Sequence, residues 1–314
     1  MNSNTVISAN NLVKKFGDLT AVDHLSLEVR FGEVFGFLGP NGAGKSTSIN
    51  MICSLLKPTE GKVYIKGEKV TARKKVLSQI GLCPQDIIIW PKLTCLEQLV
   101  FMAEMYGIGR KAAKLKAMEL LERMGLTEKK NKLANTLSGG MQRRLNICLA
   151  LIHSPEIVVL DEPEAGLDPQ SRVMVREFIK EVAKEKTVIL TTHNMDEAER
   201  LADRVAIIDR GKLLLVDTPD KLKKSIGEGD ILEIELIRQN DAATQKAVKL
   251  LSSLVDNVTS AGNILIIKTK DVVGRIQSIT NILKDNNFKT GEIKMRSNTL
   301  EDVFIHLTGR SLRE

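Results

Sequence analysis

The residues Gly39, Pro40, Asn41, Gly42, Ala43, Gly44, Lys45 and Ser46 fit the pattern G-x-x-x-x-G-K-[ST] and follow directly on the apolar run EVFGFL. A strand that enters a glycine-rich turn and opens a helix constrains this chain more than any other feature, because only bare backbone can wrap closely around a phosphate group. The glycines aim successive N–H groups inward, and the helix N-terminus adds its partial positive charge. The Lys45 ammonium is then placed to reach the outer phosphates, and the Ser46 hydroxyl can ligate Mg²⁺.

Such a loop belongs in a sheet covered by helices, and residues 1–225 carry the matching pattern of short apolar runs between amphipathic stretches. In HLSLEVR, Leu25, Leu27 and Val29 alternate with polar residues, as a half-buried strand requires. EIVVL and TVILTT are continuous apolar runs, the pattern of central strands covered on both faces. AIIDRGKLLLVD reads as a hairpin turning at Arg210 and Gly211. A basic helix near Lys221–Lys224 precedes the two glycines of SIGEGD, so the expected boundary separates a domain of residues 1–225 from one of residues 226–314. The second reads strand, helix, two strands, helix, strand, and a last helix from Thr299, which resembles a ferredoxin-like α+β unit with an added helix.

Lys and Arg together number 46 against 39 Asp and Glu, a surplus suited to phosphates, anionic headgroups or nucleic acid. From Ile226 onward the signs balance at 12 each, which excludes a nucleic-acid-binding tail and places the whole excess upstream. The four cysteines, Cys53, Cys83, Cys95 and Cys148, form no C-x-x-C pair and read as buried thiols rather than a zinc site or disulfides. No apolar run approaches the roughly 18 residues that span a bilayer, and MNSNTVISAN has neither the basic start nor the apolar stretch of a signal peptide. The chain is expected to stay in the cytosol.

Three further segments complete a phosphate-handling site. VVLDEP is an apolar strand ending in two carboxylates: Asp161 is placed to hold Mg²⁺ through water, and Glu162 to polarise an attacking water. TTHNMDEAE follows another strand and puts His193 within reach of the terminal phosphate or that water, whereas His24, His153 and His306 read as structural or solvent-facing. In LSGGMQRR, Ser138 can cap a helix whose first turn, Gly139 and Gly140, admits an anion closely. One chain already has a phosphate loop, so this second phosphate-binding end fits a nucleotide held by another subunit.

The loop at Gly39–Thr47, Gln85 in LCPQD, Leu137–Gln142, Asp161–Pro163, Gly166–Asp168 and His193 together, in this order, resemble the ATP-binding cassette (ABC) ATPases over residues 1–225. The resemblance implies a P-loop α/β ATPase domain with a helical subdomain, using ATP and Mg²⁺. It implies that Phe16 stacks on adenine, although packing beneath the sheet is the alternative. Gln85 would sense the terminal phosphate and Mg²⁺ beside Ser46 and Asp161, and Glu162, His193 and Gln85 would act in hydrolysis. Ser138, Gly139, Gly140, Gln142 and Asp168 would meet a second copy of the subunit. Met141 and Glu164 depart from the common family pattern, and neither removes a catalytic group. The tail TLEDVFIHLTG resembles ATPase subunits of the type-2 ABC exporters, which implies a separate multispanning permease and a place on the cytoplasmic face of the membrane. Ile87, Ile88, Ile89 and Trp90 would form the docking patch or else be buried in the chain's own core. An ABC ATPase acting on nucleic acid or ribosomes, or a cytosolic assembly ATPase, is the alternative of a different class. Neither the paired cassettes and coiled-coil insertions common in the former nor the missing C-terminal domain of the latter matches this chain.

Overall fold

The computed structural model describes residues 4–70, 78–226, 230–237, 241–255, 257–269 and 272–309. The chain divides into two compact units between Pro219 and Asp220, which differs from the boundary after residue 225 expected from the glycines of SIGEGD. The basic helix α7 (Pro219–Ser225) therefore goes almost wholly with the second unit, and residues 227–229 of that stretch lie outside the described residues. Its attachment is visible in hydrogen bonds from Asn298 Nδ2 to Lys223 O (3.3 Å) and from Lys268 Nζ to Ile226 O (2.6 Å).

The first unit contains two sheets. The strands β1 (Thr5–Phe16), β2 (Leu19–Arg30), β4 (Glu60–Ile65) and β5 (Glu68–Lys69) form an antiparallel sheet in the order β2-β1-β4-β5. A six-stranded sheet has the order β10-β9-β3-β8-β7-β6, built from β3 (Val34–Leu38), β6 (Ile80–Cys83), β7 (Ile157–Asp161), β8 (Thr187–Thr192), β9 (Arg204–Asp209) and β10 (Lys212–Asp217). All its neighbours run parallel except β10, which is joined to β9 by the turn at Arg210 and Gly211. Every residue of β3, β7 and β8 is buried, in keeping with their unbroken apolar character.

Helix α1 (Lys45–Ile52) packs into the core shared by both sheets: Ile49, Met51 and Ile52 join Leu12, Leu25 and Ile65 of one sheet and Phe35, Phe37 and Ile157 of the other. The helices α2 (Cys95–Met105), α3 (Arg110–Arg123), α4 (Gly139–Leu151), α5 (Pro169–Ala183) and α6 (Met195–Leu201) complete the unit. Helix α2 starts at a capping box in which Thr94 and Glu97 satisfy each other's backbone N–H, and α4 is buried from Arg143 to Leu151. All four cysteines are buried, and burial pushes the Cys53 thiol up to about 12 and Cys83 up to about 11.

The second unit is an antiparallel sheet in the order β12-β13-β11-β14, made of β11 (Asp230–Leu236), β12 (Asn257–Ala261), β13 (Ile264–Thr269) and β14 (Thr290–Arg296). Helices α8 (Asp241–Leu251) and α9 (Val272–Asp285) contribute Ala247, Leu251, Ile279 and Leu283 to one core with Leu232, Ile234, Leu265 and Ile267. The last helix, α10 (Leu300–Thr308), is capped by Thr299, and Asp302 binds both that cap and Arg296.

The parallel sheet sets how closely the phosphate loop must pass its neighbours. A Cβ at Gly39 would lie 2.2 Å from the carbonyl oxygen of Ile208 on β9, so no side chain fits without moving a central strand. Gly39→Ala is expected to lower the thermal midpoint by about 5 °C or more and to weaken nucleotide binding, read by scanning calorimetry and fluorescent-nucleotide titration.

Candidate active site

Because their strands run parallel, four segments arrive at one edge of the six-stranded sheet: the loop after β3, the carboxylates at the end of β7, His193 after β8 and Gln85 after β6. A cleft of about 460 Å³ opens there, lined among others by Phe16, Pro40, Lys45, Thr47, Gln85 and Glu162, while His193 and Asp161 stand outside its lining. Asn41 and Gly42 are exposed, Gly44, Ser46 and Thr47 are half-buried, and Ala43 is buried beneath them. The loop is held from both sides, since Gly39 N–H donates to Thr192 O (3.4 Å) and Gly211 N–H donates to Ala43 O (2.9 Å). Gly44 turns the chain into α1 with a φ of 98°, a conformation that side chains rarely adopt. Phe16 is 49% exposed with the Lys14 ammonium 5.1 Å from its ring centre, so it lies at the wall of the cleft and not beneath the sheet.

Lys45 is only 6% exposed. Its Nζ donates to Gly39 O (2.8 Å) and Pro40 O (3.1 Å) and lies 3.5 Å from Glu162 Oε1. Burial lowers its pKa from the ordinary lysine range, opposed by the charges of Glu162 and Asp161. An ammonium so poorly hydrated attracts an incoming phosphate far more strongly than one in bulk water.

Glu162 is bracketed by cationic and polar groups, with Oε2 2.8 Å from His193 Nδ1 and its backbone N–H donating to Thr191 Oγ1 at 3.0 Å. The Thr191 hydroxyl itself donates to Asp161 Oδ1, so one side chain fixes both acidic residues. The backbone at Glu162 has a φ of 50°, left-handed for a non-glycine residue, a conformation costing on the order of 1–3 kcal/mol. Beneath these groups Arg143, 2% exposed, donates to the carbonyls of Pro84, Gln85, Asp161, Glu162 and Pro163.

The remaining predicted residues form a second group, absent from the lining of the first cleft. Ser138 caps α4, its Oγ accepting from Met141 N–H at 3.3 Å, while Gln142 Nε2 donates to Ala134 O and Leu137 O. A Cβ on Gly140 would lie 2.9 Å from Ser171 Oγ and 3.4 Å from Asp168 Oδ2, so the two motifs are neighbours. Asp168 caps α5 through the Ser171 N–H, and the Ser171 hydroxyl first and that N–H second hold its carboxyl below the usual carboxylate range. Ser138 and Gly139 are exposed.

The atypical Glu164 is buried and forms a two-bond ion pair with Arg176, at 3.0 and 2.7 Å. Glu197 on α6, 2% exposed, accepts from Thr192 Oγ1 at 2.5 Å, and burial pushes its carboxyl up to about 8, with Glu164 and Glu162 adding to the rise. Sequence reasoning passes over Thr191, Arg143 and Glu197. For Thr191 the one available signal is the pair of threonines ending an apolar buried run; for Arg143 it is a basic residue heading the apolar stretch that follows in α4.

Residues 22–165 match the ABC transporter family model. Over 98% of its length the chain is 38% identical to the linearmycin resistance ATP-binding protein LnrL of Bacillus subtilis, covering 100% of that protein. The chain belongs to the ABC transporter family. It is also 38% identical to the bacitracin transport ATP-binding protein BcrA of Bacillus licheniformis, over 97% of this chain and 98% of that one. The Nod factor export ATP-binding protein I of Ralstonia nicotianae is 33% identical over 99% and 96%. Among solved structures, an ATP-binding subunit of an ABC transporter superposes with a TM-score of 0.65 at 26% identity, over 71% of this chain and 93% of that one. The dimeric post-hydrolysis state of the ATP-binding cassette MJ0796 bound to ADP and Pi gives 0.63 at 29%, over 68% and 98%. This ABC subunit is an ATPase with a P-loop α/β fold.

The raised pKa of Glu197 gives the ABC subunit a pH signature. Its carboxyl goes from an ordinary 4.5 to about 8 on folding, so its contribution to stability is complete below the lower value and is lost as pH rises through the upper one. Glu197→Gln, which carries no charge to bury, is expected to gain stability relative to wild type between about pH 5 and about pH 8.5, measured by urea unfolding.

Proposed function

We propose that this ABC ATPase is the motor subunit of an exporter, driving a separate multispanning membrane subunit from the cytoplasmic side. Similarity that runs through both units to the ATP-binding proteins of linearmycin resistance, bacitracin transport and Nod factor export carries the reading. No helix among the described residues is long and apolar enough to cross a membrane. Ile87 and Ile88, at 39% and 60% exposure, together with Phe101, Met105 and Tyr106 offer an apolar surface for it, while Ile89 and Trp90 are half-buried with Trp90 edge-on to Phe101. The strand order β12-β13-β11-β14 supports a ferredoxin-like second unit, and the division of the chain supports two domains.

In hydrolysis, Gly39–Thr47 would cradle the phosphates of ATP, with Phe16 against the adenine. Lys45 would exchange its contact with Glu162 for one with the terminal phosphate. Glu162, released, would accept a proton from the attacking water while His193 orients the carboxylate and contacts the phosphate. Ser46, Asp161 and Gln85 form a hard oxygen donor set suited to Mg²⁺, which would neutralise phosphate charge. Among the described residues no cluster of three or more His, Cys, Asp or Glu could hold a metal, so the remaining ligands would be phosphate oxygens and water. Ser138, Gly139, Gly140, Gln142 and Asp168 would close over the nucleotide of a second copy.

Lys45→Ala is expected to reduce turnover by about 100-fold or more with the fold retained, read by phosphate release and circular dichroism. Glu162→Gln is expected to bind ATP without consuming it and to form a stable dimer, because each nucleotide then bridges two subunits. Light scattering at matched protein concentration should give dimer mass with ATP and monomer mass with ADP, and adding Ser138→Arg should return the ATP form to monomer. Equal mass with ATP and ADP would count against the two-subunit site in the isolated chain.

A further inference from the structure

Every partner of Arg143 among the described residues is a backbone carbonyl, and those carbonyls come from two segments far apart in sequence. Pro84 and Gln85 belong to the glutamine loop after β6; Asp161, Glu162 and Pro163 form the end of β7 and its exit. In an extended strand successive carbonyls point to opposite sides. The left-handed φ of 50° at Glu162 lets three consecutive carbonyls converge, and converging carbonyl dipoles repel one another unless a cation stands among them. Arg143 supplies that cation as a planar fork of five N–H donors, whereas a lysine has three and no fixed plane.

We propose that Arg143 is a positioning residue for hydrolysis: it holds Glu162 in its left-handed conformation and clamps the carboxylate strand end to the glutamine loop. The inference rests on the reading of Glu162 as the group that activates water. Arg143 stands five residues after Ser138 on the same helix, and α4 is buried from Arg143 onward. One side chain thus sets the relative position of the helix that starts at Ser138, the loop that carries Gln85 and the carboxylate of Glu162. It does not itself line the phosphate cleft, and it reaches that cleft only through the backbone carbonyls of Gln85 and Glu162, two of the lining residues. Its loss should therefore spare nucleotide binding and impair the chemical step.

The test uses the full chain as wild type, Arg143→Lys, Arg143→Gln, Glu162→Gln and the double variant Arg143→Lys/Glu162→Gln. Turnover against ATP concentration, fluorescent-nucleotide affinity and thermal midpoint are measured for each, with residual turnover followed by radiolabelled phosphate release. Both single Arg143 variants are expected to lose about tenfold or more in kcat while KM for ATP and nucleotide affinity stay within about twofold. In the Glu162→Gln background, Arg143→Lys should cost several-fold less than in wild type, because the carboxylate it chiefly positions is already gone. Wild-type kcat in Arg143→Lys beside an impaired Glu162→Gln overturns the positioning role alone. Wild-type turnover by Glu162→Gln removes the role of Glu162 and, with it, the purpose assigned to Arg143. An equal loss from Arg143→Lys in both backgrounds, or a joint change of kcat, KM and midpoint, also overturns it. Should the Arg143 variants fail to fold, Thr191→Val removes the hydroxyl grip on the Glu162 N–H, and an unchanged kcat there sinks the claim that this peptide must be held.

Discussion

A buried ammonium 3.5 Å from a buried carboxylate is the interaction on which the rest of the site depends. Both side chains are nearly buried, and beside each other they have the Gly39 and Pro40 carbonyls around the ammonium and His193 Nδ1 against the carboxylate. The two residues stand on different segments, after β3 and after β7, with β8 between those strands, so their pairing requires the parallel register of the sheet. That register in turn rests on strands buried along their whole length. The core is thus the precondition for placing these two opposite charges side by side at the sheet edge.

Much of this was legible in the residues. The loop from Gly39 to Ser46 has a chemistry that few sequences can meet, and the apolar runs at Ile157–Asp161 and Thr187–Thr192 announce strands covered on both faces. The hairpin at Arg210 and Gly211 and each helix and strand of the second unit also follow the apolar periodicity. The position of α7 did not. Its residues look like the end of the first domain, whereas contacts with Asn298 and through Ile226, made about 40 to 75 residues further along, go with its place in the second. Arg143 and Thr191 escape for the same reason. Their partners are a distant backbone or a neighbouring strand end, and no local pattern encodes a carbonyl 58 residues away. The stretch Ile87–Trp90 gives a divided result, two residues exposed and two half-buried, which a choice between surface and core does not anticipate.

The family departures also have a physical place. Glu164 spends its charge on Arg176, which ties the exit of β7 to α5 behind Asp168. Together with Glu162 and Glu197 it puts three carboxyl groups in one buried region, and the strongly raised pKa of Glu197 follows from burial first and from these neighbours second. Met141 supplies the backbone N–H that Ser138 caps, a contact indifferent to the side chain at that position.

The left-handed backbone at Glu162 has an evolutionary corollary. Glycine or asparagine would occupy that conformation at less cost than glutamate, so the substitutions that best relax the peptide also delete the carboxylate. If Glu162 activates water as proposed, drift toward a steadier protein is, at this one position, drift toward an idle one. A site of this kind persists only under continued selection for turnover, and a copy released from that selection would be expected to lose its glutamate early while keeping its fold.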